Sequence, residues 1–135
     1  MTDTRDPSPA RVERYRRGRI AEIVAAAFLL AKGYRILARR WRSPYGEIDL
    51  IARRGRRLAF VEVKRRPTQA DAQAAITPRQ SRRYARAAEF WISRHPAFAE
   101  HERALDIILV SPLRVPLHIE HGLQLAWPAG RVVAR

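Results

Sequence analysis

Residues 46–64 constrain the fold of this chain more than any other stretch, because they hold two β-prone segments separated by a short basic turn. The first segment reads Gly-Glu-Ile-Asp-Leu-Ile-Ala and the second reads Phe-Val-Glu-Val-Lys. Both are rich in β-branched and aromatic residues and have alternating polar positions, and Gly55 between them suits a chain reversal. The pattern predicts a β-hairpin.

The register of this hairpin decides which side chains share a face, since residues directly opposite each other in an antiparallel pair point the same way. A two-residue loop and a four-residue loop around Gly55 predict the same register. In that register Asp49 lies opposite Glu62, and Glu47 lies opposite Lys64. The apolar residues that should then face a core are Ile48, Leu50, Val61 and Val63.

Two carboxylates held opposite each other destabilise a sheet, unless a cation lies between them or one is protonated. A hard divalent ion such as Mg2+, or Mn2+ in its place, explains Asp49 and Glu62, because Mg2+ is usually bound by one or two carboxylates, waters and substrate phosphates. Lys64 lies on the same side of the strand as Glu62, where an ammonium could orient or deprotonate a water. These three residues indicate hydrolysis of a phosphodiester.

A structural explanation of the same residues stays open. Glu47 with Lys64, and Glu62 with Arg65 or Arg66, could be exposed cross-strand ion pairs, each worth well under ~1 kcal/mol.

The segments at residues 46–52 and 60–66 closely resemble the YraN-like family, bacterial proteins related to archaeal Holliday junction resolvases. Asp49 followed by Glu62-Val63-Lys64 is also similar to the PD-(D/E)XK nuclease signature. Further matches are Gly18, Glu22, Ala25, Gly33, Tyr34, Arg103, Asp106, Ile119, Glu120 and His121. The resemblance covers roughly residues 18–127.

The resemblance implies a restriction-endonuclease-like αβββαβ core in three layers, with a central mixed sheet flanked by helices. The order of elements in the sequence likewise predicts an α/β or α+β sandwich. The implied activity is a metal-dependent endonuclease acting on DNA, including branched or damaged DNA. Asp49, Glu62 and the Val63 carbonyl would bind the metal, and Lys64 would position the attacking water. Two further acids would act from the outer shell: Glu22 and Glu47.

A first helix is predicted over residues 12–32, where apolar residues recur at helical spacing and Gly33 suits the position after the helix. The predicted buried stripe is Ile20, Ile23, Val24, Ala27, Phe28 and Ala31. Glu22 borders this stripe, where it either faces the site or pairs with Arg19 or another nearby arginine.

A second helix is predicted to start at Thr77, with Thr77 as N-cap and Gln80 placed to complete a capping box, and to end near residue 94. Its inner face is Tyr84, Ala87, Ala88 and Trp91, and its basic outer face is Arg79, Arg82, Arg83 and Arg86. The YraN-like family commonly has lysine where this chain has Gln80. If that lysine helps to bind substrate phosphate, its absence here either weakens activity or passes the role to Arg79 or Arg83.

The predicted nucleic-acid surface combines this helix with the basic loop that follows the hairpin. Its residues are Arg65, Arg66, Arg79, Gln80, Arg82 and Arg83.

Three shorter elements complete the prediction. Residues 34–41 form a strand before the hairpin, and residues 103–110 form an inner strand, with Asp106 near its start paired to an arginine. Residues 115–127 form a small hairpin around His121.

The charge points to the partner. The 135 residues include 27 Lys and Arg but 13 Asp and Glu, a net charge of +14. This surplus predicts a polyanion, most simply nucleic acid and in particular DNA, with an anionic membrane or the ribosome as other options. A non-catalytic nucleic-acid-binding protein with a nuclease-like fold is the alternative to an enzyme.

Composition also limits the architecture. The length suits one domain, which we place at residues 10–128 between a disordered start at 1–9 and a loose end at 129–135. No cysteine is present, which excludes disulfides and thiol chemistry. No apolar run approaches the ~20 residues that cross a bilayer, so we expect a cytoplasmic protein without a membrane partner. The sequence leaves a homodimer open.

Overall fold

Residues 8–123 contain five strands that form one mixed sheet, in which each strand lies beside the next one in the sequence. The third and fourth strands run parallel and the other neighbours antiparallel. The computed structural model describes residues 8–123, except the side chains of residues 14, 15, 17, 72 and 73. Its elements are α1 (Pro9–Ala31), β1 (Arg35–Ser43), β2 (Gly46–Arg54), β3 (Arg57–Arg65), α2 (Gln69–Ala74), α3 (Pro78–Ser93), a 3-10 helix (Pro96–Phe98), β4 (Glu102–Val110) and β5 (Leu117–Ile119). The predicted mixed α/β fold is confirmed. Of the disordered start predicted at 1–9, residues 1–7 lie outside the described residues, while Ser8 caps α1 and Pro9 begins it. The loose end predicted at 129–135 also lies outside them.

The hairpin of β2 and β3 has the predicted register, from Leu50 opposite Val61 to Arg54 opposite Arg57. The loop has two residues, and Gly55 adopts a φ of +59°, which a glycine tolerates best. The ladder stops at Leu50 and Val61, however. The further pairings predicted from this register, Asp49 with Glu62 and Glu47 with Lys64, are therefore not part of it.

Both faces of the sheet are covered. One core lies under α3 and the other under α1, which gives three layers. Leu50, Val61 and Val63 lie together in the core under α1, as predicted for residues on one face of the hairpin. Ile48 lies in the core under α3 instead, so its predicted face was wrong. The change of face coincides with the end of the β2–β3 ladder.

Helix α1 begins three residues before the predicted start, where Ser8 Oγ accepts the Arg11 N–H at 3.2 Å, and it is followed by Gly33 with a φ of +90°. The predicted buried stripe was wrong, since Ile20 and Ile23 are 52% and 51% exposed. Ala27 and Ala31 are exposed as well, and Val24 and Phe28 are only half-buried. The buried residues are Ala21, Ala25, Ala26 and Leu29. Residues 20–31 are apolar on nearly every side, so spacing could not choose a face, and small alanines let the helix approach the sheet.

Helix α3 is as predicted on both faces. The Thr77 side chain accepts the Gln80 N–H at 3.1 Å, and the four inner residues are buried while the four arginines are exposed. The strand at 103–110 is an inner strand, as predicted.

The predicted C-terminal hairpin at residues 115–127 contains β5, which pairs with β4. The second half of this hairpin, from residue 124, lies outside the described residues, so the hairpin stays a prediction. Between residues 8 and 123, no helix is both long and apolar enough to cross a membrane.

Candidate functional site

The strands β2 and β3 part where a tyrosine from α3 enters between them. The Tyr84 hydroxyl donates to the Val61 carbonyl at 2.9 Å and accepts the Asp49 N–H at 3.1 Å. A single side chain thereby satisfies two main-chain groups that a continued ladder would have paired. The ends of the strands stay apart, and a polar site opens between them.

Asp49 lies at this opening and is fixed by the other strand. Its Oδ2 accepts the Val63 N–H at 2.8 Å. Burial raises the pKa of Asp49 to about 7, the hydrogen bond from Val63 acts in the opposite direction, and the charges of Glu62, Glu22 and Glu47 add to the rise. Four carboxyl groups therefore share one neighbourhood, and their mutual repulsion favours a cation among them.

Glu62 is brought to the same place from β3, and two side chains approach it. Gln80 Nε2 donates to Glu62 Oε1 at 3.4 Å, so Gln80 reaches across to the site rather than back to its own helix cap. Lys64 Nζ lies 3.3 Å from Glu62 Oε2, and Lys64 is 9% exposed. This ion pair replaces the predicted pairing of Lys64 with Glu47.

The two outer acids are held by arginines of β1. Glu22 lies 3.0 Å from Arg40 Nε, and burial raises the pKa of Glu22 while Arg40 lowers it. Glu47 lies 3.3 Å from Arg42 Nε. Glu22 thus has the arginine partner expected of a structural acid, yet it also faces the site.

One observation in particular indicates that Asp49, Glu62 and Val63 are suited to bind a divalent ion. Glu62 Oε2 is buried and accepts no hydrogen bond. Lys64 Nζ lies 3.3 Å away, but its geometry is not that of a hydrogen bond. This oxygen, the Asp49 carboxylate and the Val63 carbonyl are hard oxygen donors of the kind that Mg2+ prefers. Among residues 8–123, no three His, Cys, Asp or Glu side chains are grouped so as to hold a metal by themselves. A metal ion here would be coordinated by two carboxylates and by water molecules, as is usual for Mg2+.

A basic groove adjoins the acidic site. A small cavity of about 50 Å3 lies at the Glu47 and Glu62 side of the acidic site, and it is lined by Tyr45, Gly46, Glu47, Glu62, Gln80, Arg83, Tyr84 and Ala87. The groove, of about 280 Å3, is lined by Pro44, Tyr45, Arg79, Arg82, Arg83 and Arg86. The structure thus brings the predicted helix arginines next to the predicted acids.

The loop arginines lie elsewhere. Arg65 lines a separate groove beside α1, together with Ile20, Val110 and Pro112. The Arg66 side chain donates to the Arg65 carbonyl at 2.9 Å. Neither residue lines the α3 groove, so the predicted nucleic-acid surface divides into two parts.

Asp106 has a structural role on β4, where it lies beside Val61 and pairs with Arg57 at the start of β3. It is fully buried and forms two hydrogen bonds with the Arg57 guanidinium, at 2.6 and 3.0 Å. His118 Nε2 lies 2.7 Å from Asp106, and the His121 N–H donates to it at 2.9 Å. The predicted pairing of Asp106 with an arginine is confirmed.

Two site residues escaped the sequence reasoning for different reasons. Tyr84 was assigned to the inner face of α3 by spacing, which carries no information about its hydroxyl. Arg40 adopts a φ of +50°, so alternation along β1 could not predict its direction.

The fold and the site define a small mixed α/β protein with carboxylates gathered where a hairpin of its central sheet opens. Residues 21–110 match the family described as "Uncharacterised protein family UPF0102". The chain belongs to this family, the YraN-like family that its motifs resemble.

Relatives from three genera are similar over most of their length. A UPF0102 protein of Rhodopseudomonas palustris strain BisB18 is 50% identical over 123 residues, covering 87% of this chain and 91% of the relative. A UPF0102 protein of Bradyrhizobium diazoefficiens is 52% identical, covering 83% and 84%. A UPF0102 protein of Nitrobacter winogradskyi is 50% identical, covering 81% and 92%.

Proposed function

We propose that this protein is a metal-dependent endonuclease that hydrolyses phosphodiester bonds in DNA, including branched or damaged DNA. The observation that carries the proposal is the convergence of Asp49, Glu62 and Lys64 at the place where β2 and β3 part. A protein that only bound DNA would gain nothing from carboxylates, which repel phosphate.

The metal would be Mg2+ or Mn2+, held by Asp49, Glu62 and the Val63 carbonyl. When bound, such an ion neutralises charge on the phosphate and on the attacking and leaving oxygens. The chain prepares the ligands beforehand, because the Val63 N–H orients Asp49 and the contact with Gln80 orients Glu62. Preorganised ligands of this kind lose little entropy on binding.

Lys64 supplies the positive side chain that pairs with Glu62. It is almost buried and is directed to Glu62, so its ammonium is held at the site. There it would orient the attacking water beside the phosphate. Glu22 and Glu47 would add negative charge from the outside while Arg40 and Arg42 fix their positions.

The DNA would approach across α3. Arg79, Arg82 and Arg83 line the groove next to the acids, and the net charge of +14 attracts a polyanion to the whole molecule. Arginine on an exposed helix face is well suited to phosphate contacts.

The direct test is cleavage of a panel of duplex, single-stranded, flapped and four-way DNA in the presence of Mn2+. The wild type should cleave at least one substrate, while Glu62→Gln and Lys64→Met should not, and Glu100→Gln should match the wild type as an exposed control. Equal cleavage by Glu62→Gln would indicate a contaminating nuclease and contradict the proposal.

A non-catalytic nucleic-acid-binding protein is the second candidate, and one contact favours it. Gln80, which replaces the lysine common in the family, brings a neutral amide to Glu62. DNA binding by the wild type without cleavage of any substrate in Mn2+ would support this candidate over the enzyme.

A further inference from the structure

The groove beside the acidic site contains an exposed aromatic ring as well as arginines. Tyr45 is 39% exposed and lies in the turn between β1 and β2. The groove runs between this turn and α3, which contributes Arg79, Arg82, Arg83 and Arg86. An aromatic ring among arginines is the combination with which proteins bind single-stranded nucleic acid.

The turn holds Tyr45 in a fixed position. Ser43 Oγ donates to the Gly46 carbonyl at 2.8 Å and accepts the Tyr45 N–H at 3.1 Å. The Tyr45 ring lies 6.0 Å from the Phe90 ring at 68°, an edge contact that leaves no parallel ring stacked on it. Little conformational entropy remains for this side chain to lose when a ligand binds.

Tyr45 and Arg83 line both the acidic cavity and the basic groove. Gly46 lies against Arg83, whose Cδ is 3.7 Å from the position that a Cβ at Gly46 would take, an ordinary contact distance. A strand lying in the groove would therefore lie beside the cavity that Glu47 and Glu62 line.

We propose that Tyr45 stacks on an unpaired base while Arg82, Arg83 and Arg86 bind the phosphates beside it. A base offers its face to a side chain only when it is unstacked, as in single strands, loops and ends. The substrate class is therefore nucleic acid with an unpaired segment, and uninterrupted duplex binds through its phosphates alone. This inference rests on the nucleic-acid partner of the proposed function, but not on cleavage.

The test is binding of a labelled oligothymidylate and of a duplex of equal length, measured by fluorescence anisotropy in EDTA. Tyr45→Ala should weaken binding of the single strand about tenfold and change binding of the duplex less than about twofold. Tyr45→Phe should keep the single-strand affinity, because it keeps the ring. Leu30→Ala removes another exposed apolar side chain, one that lines neither groove, and should change neither affinity.

Equal losses on both ligands, an unchanged single-strand affinity in Tyr45→Ala, or no binding by the wild type would each overturn the inference. Failure of the catalytic proposal is distinguishable, because it appears as absence of cleavage in Mn2+ while the effect of Tyr45→Ala in EDTA persists. Conversely, cleavage could require Glu62 while Tyr45→Ala binds the single strand as well as the wild type does. That result would support the catalytic proposal and contradict the stacking role of Tyr45.

Discussion

The Asp49 carboxylate accepts the backbone N–H of Val63 at 2.8 Å, across the gap where the two strands of the central hairpin part. A side chain thus takes the place of main-chain pairing at the end of the ladder. The bond has a functional consequence, because it holds the Asp49 carboxylate beside Val63 and next to Glu62.

Metal binding should stabilise the folded protein, because the folded state alone brings Asp49 and Glu62 together. At a hundredfold excess of Mg2+ or Mn2+ over Kd, the gain is about 2.7 kcal/mol. Differential scanning fluorimetry should show Tm rising with metal in the wild type and in Glu100→Gln, but not in Glu62→Gln. If all three proteins have the same Tm response at every metal concentration, the proposed metal site is contradicted.

Tyr84→Phe should lower the free energy of unfolding by roughly 1–3 kcal/mol, because the Asp49 N–H and the Val61 carbonyl both lose their partner. Urea denaturation monitored by circular dichroism measures this change. The metal-dependent rise in Tm should also shrink, because the strands are no longer held apart. Unchanged stability and an unchanged response to metal would show that the hydroxyl does not keep the site open.

Replacing Arg82 and Arg86 with alanine should weaken DNA binding and reduce its salt dependence. Each lost phosphate contact lowers the slope of log K against log salt by about 0.9 on duplex DNA, so the double variant should lose nearly 2. The matched control replaces Arg53 and Arg56 at the far hairpin turn, and it should keep the wild-type slope. If the two double variants have the same slope of log K against log salt, the DNA does not bind along the arginines of α3.

Acid should destabilise the protein through Asp106. Burial alone would raise the pKa of Asp106, but the hydrogen bonds from His118 and Arg57 outweigh it and lower the pKa from 3.8 to about 2. Because the folded pKa is the lower one, this stabilisation is complete above about pH 4 and is lost as the pH falls towards 2. The loss amounts to about 2 kcal/mol.

The measurement is denaturant unfolding of the wild type and Asp106→Asn between neutral pH and pH 2. The variant should be less stable by about 3 kcal/mol or more at neutral pH, since Arg57 is left without its partner. The difference between the two proteins should narrow in acid. A constant difference across this range would mean that Asp106 is not the titrating group.

The hairpin was predictable because its information is local. Alternating side chains and a glycine turn set the register, and Leu50 does lie opposite Val61. The same is true of the N-cap Thr77, which accepts the Gln80 N–H three residues later. The Gln80 side chain was not predictable in this way, because its partner Glu62 belongs to another element.

Helix α1 shows where local information ends. Apolar spacing predicted that Ile20 and Ile23 face the core, yet both are about half exposed, and Ala25 is fully buried. A segment that is apolar all round has several candidate faces of similar hydrophobicity. The fit of small side chains against the sheet decided among them.

The sequence by itself determined the strand order of the hairpin, the N-cap of α3, the basic face of α3 and the positions of Asp49, Glu62 and Lys64 along the strands. These follow from propensity and alternation between neighbouring residues. Only the tertiary structure decided that the ladder ends at Leu50, that Tyr84 enters between the strands and that Tyr45 stands beside the arginines. Such contacts join residues far apart in the chain, and their geometry depends on the packing of α3 against the sheet.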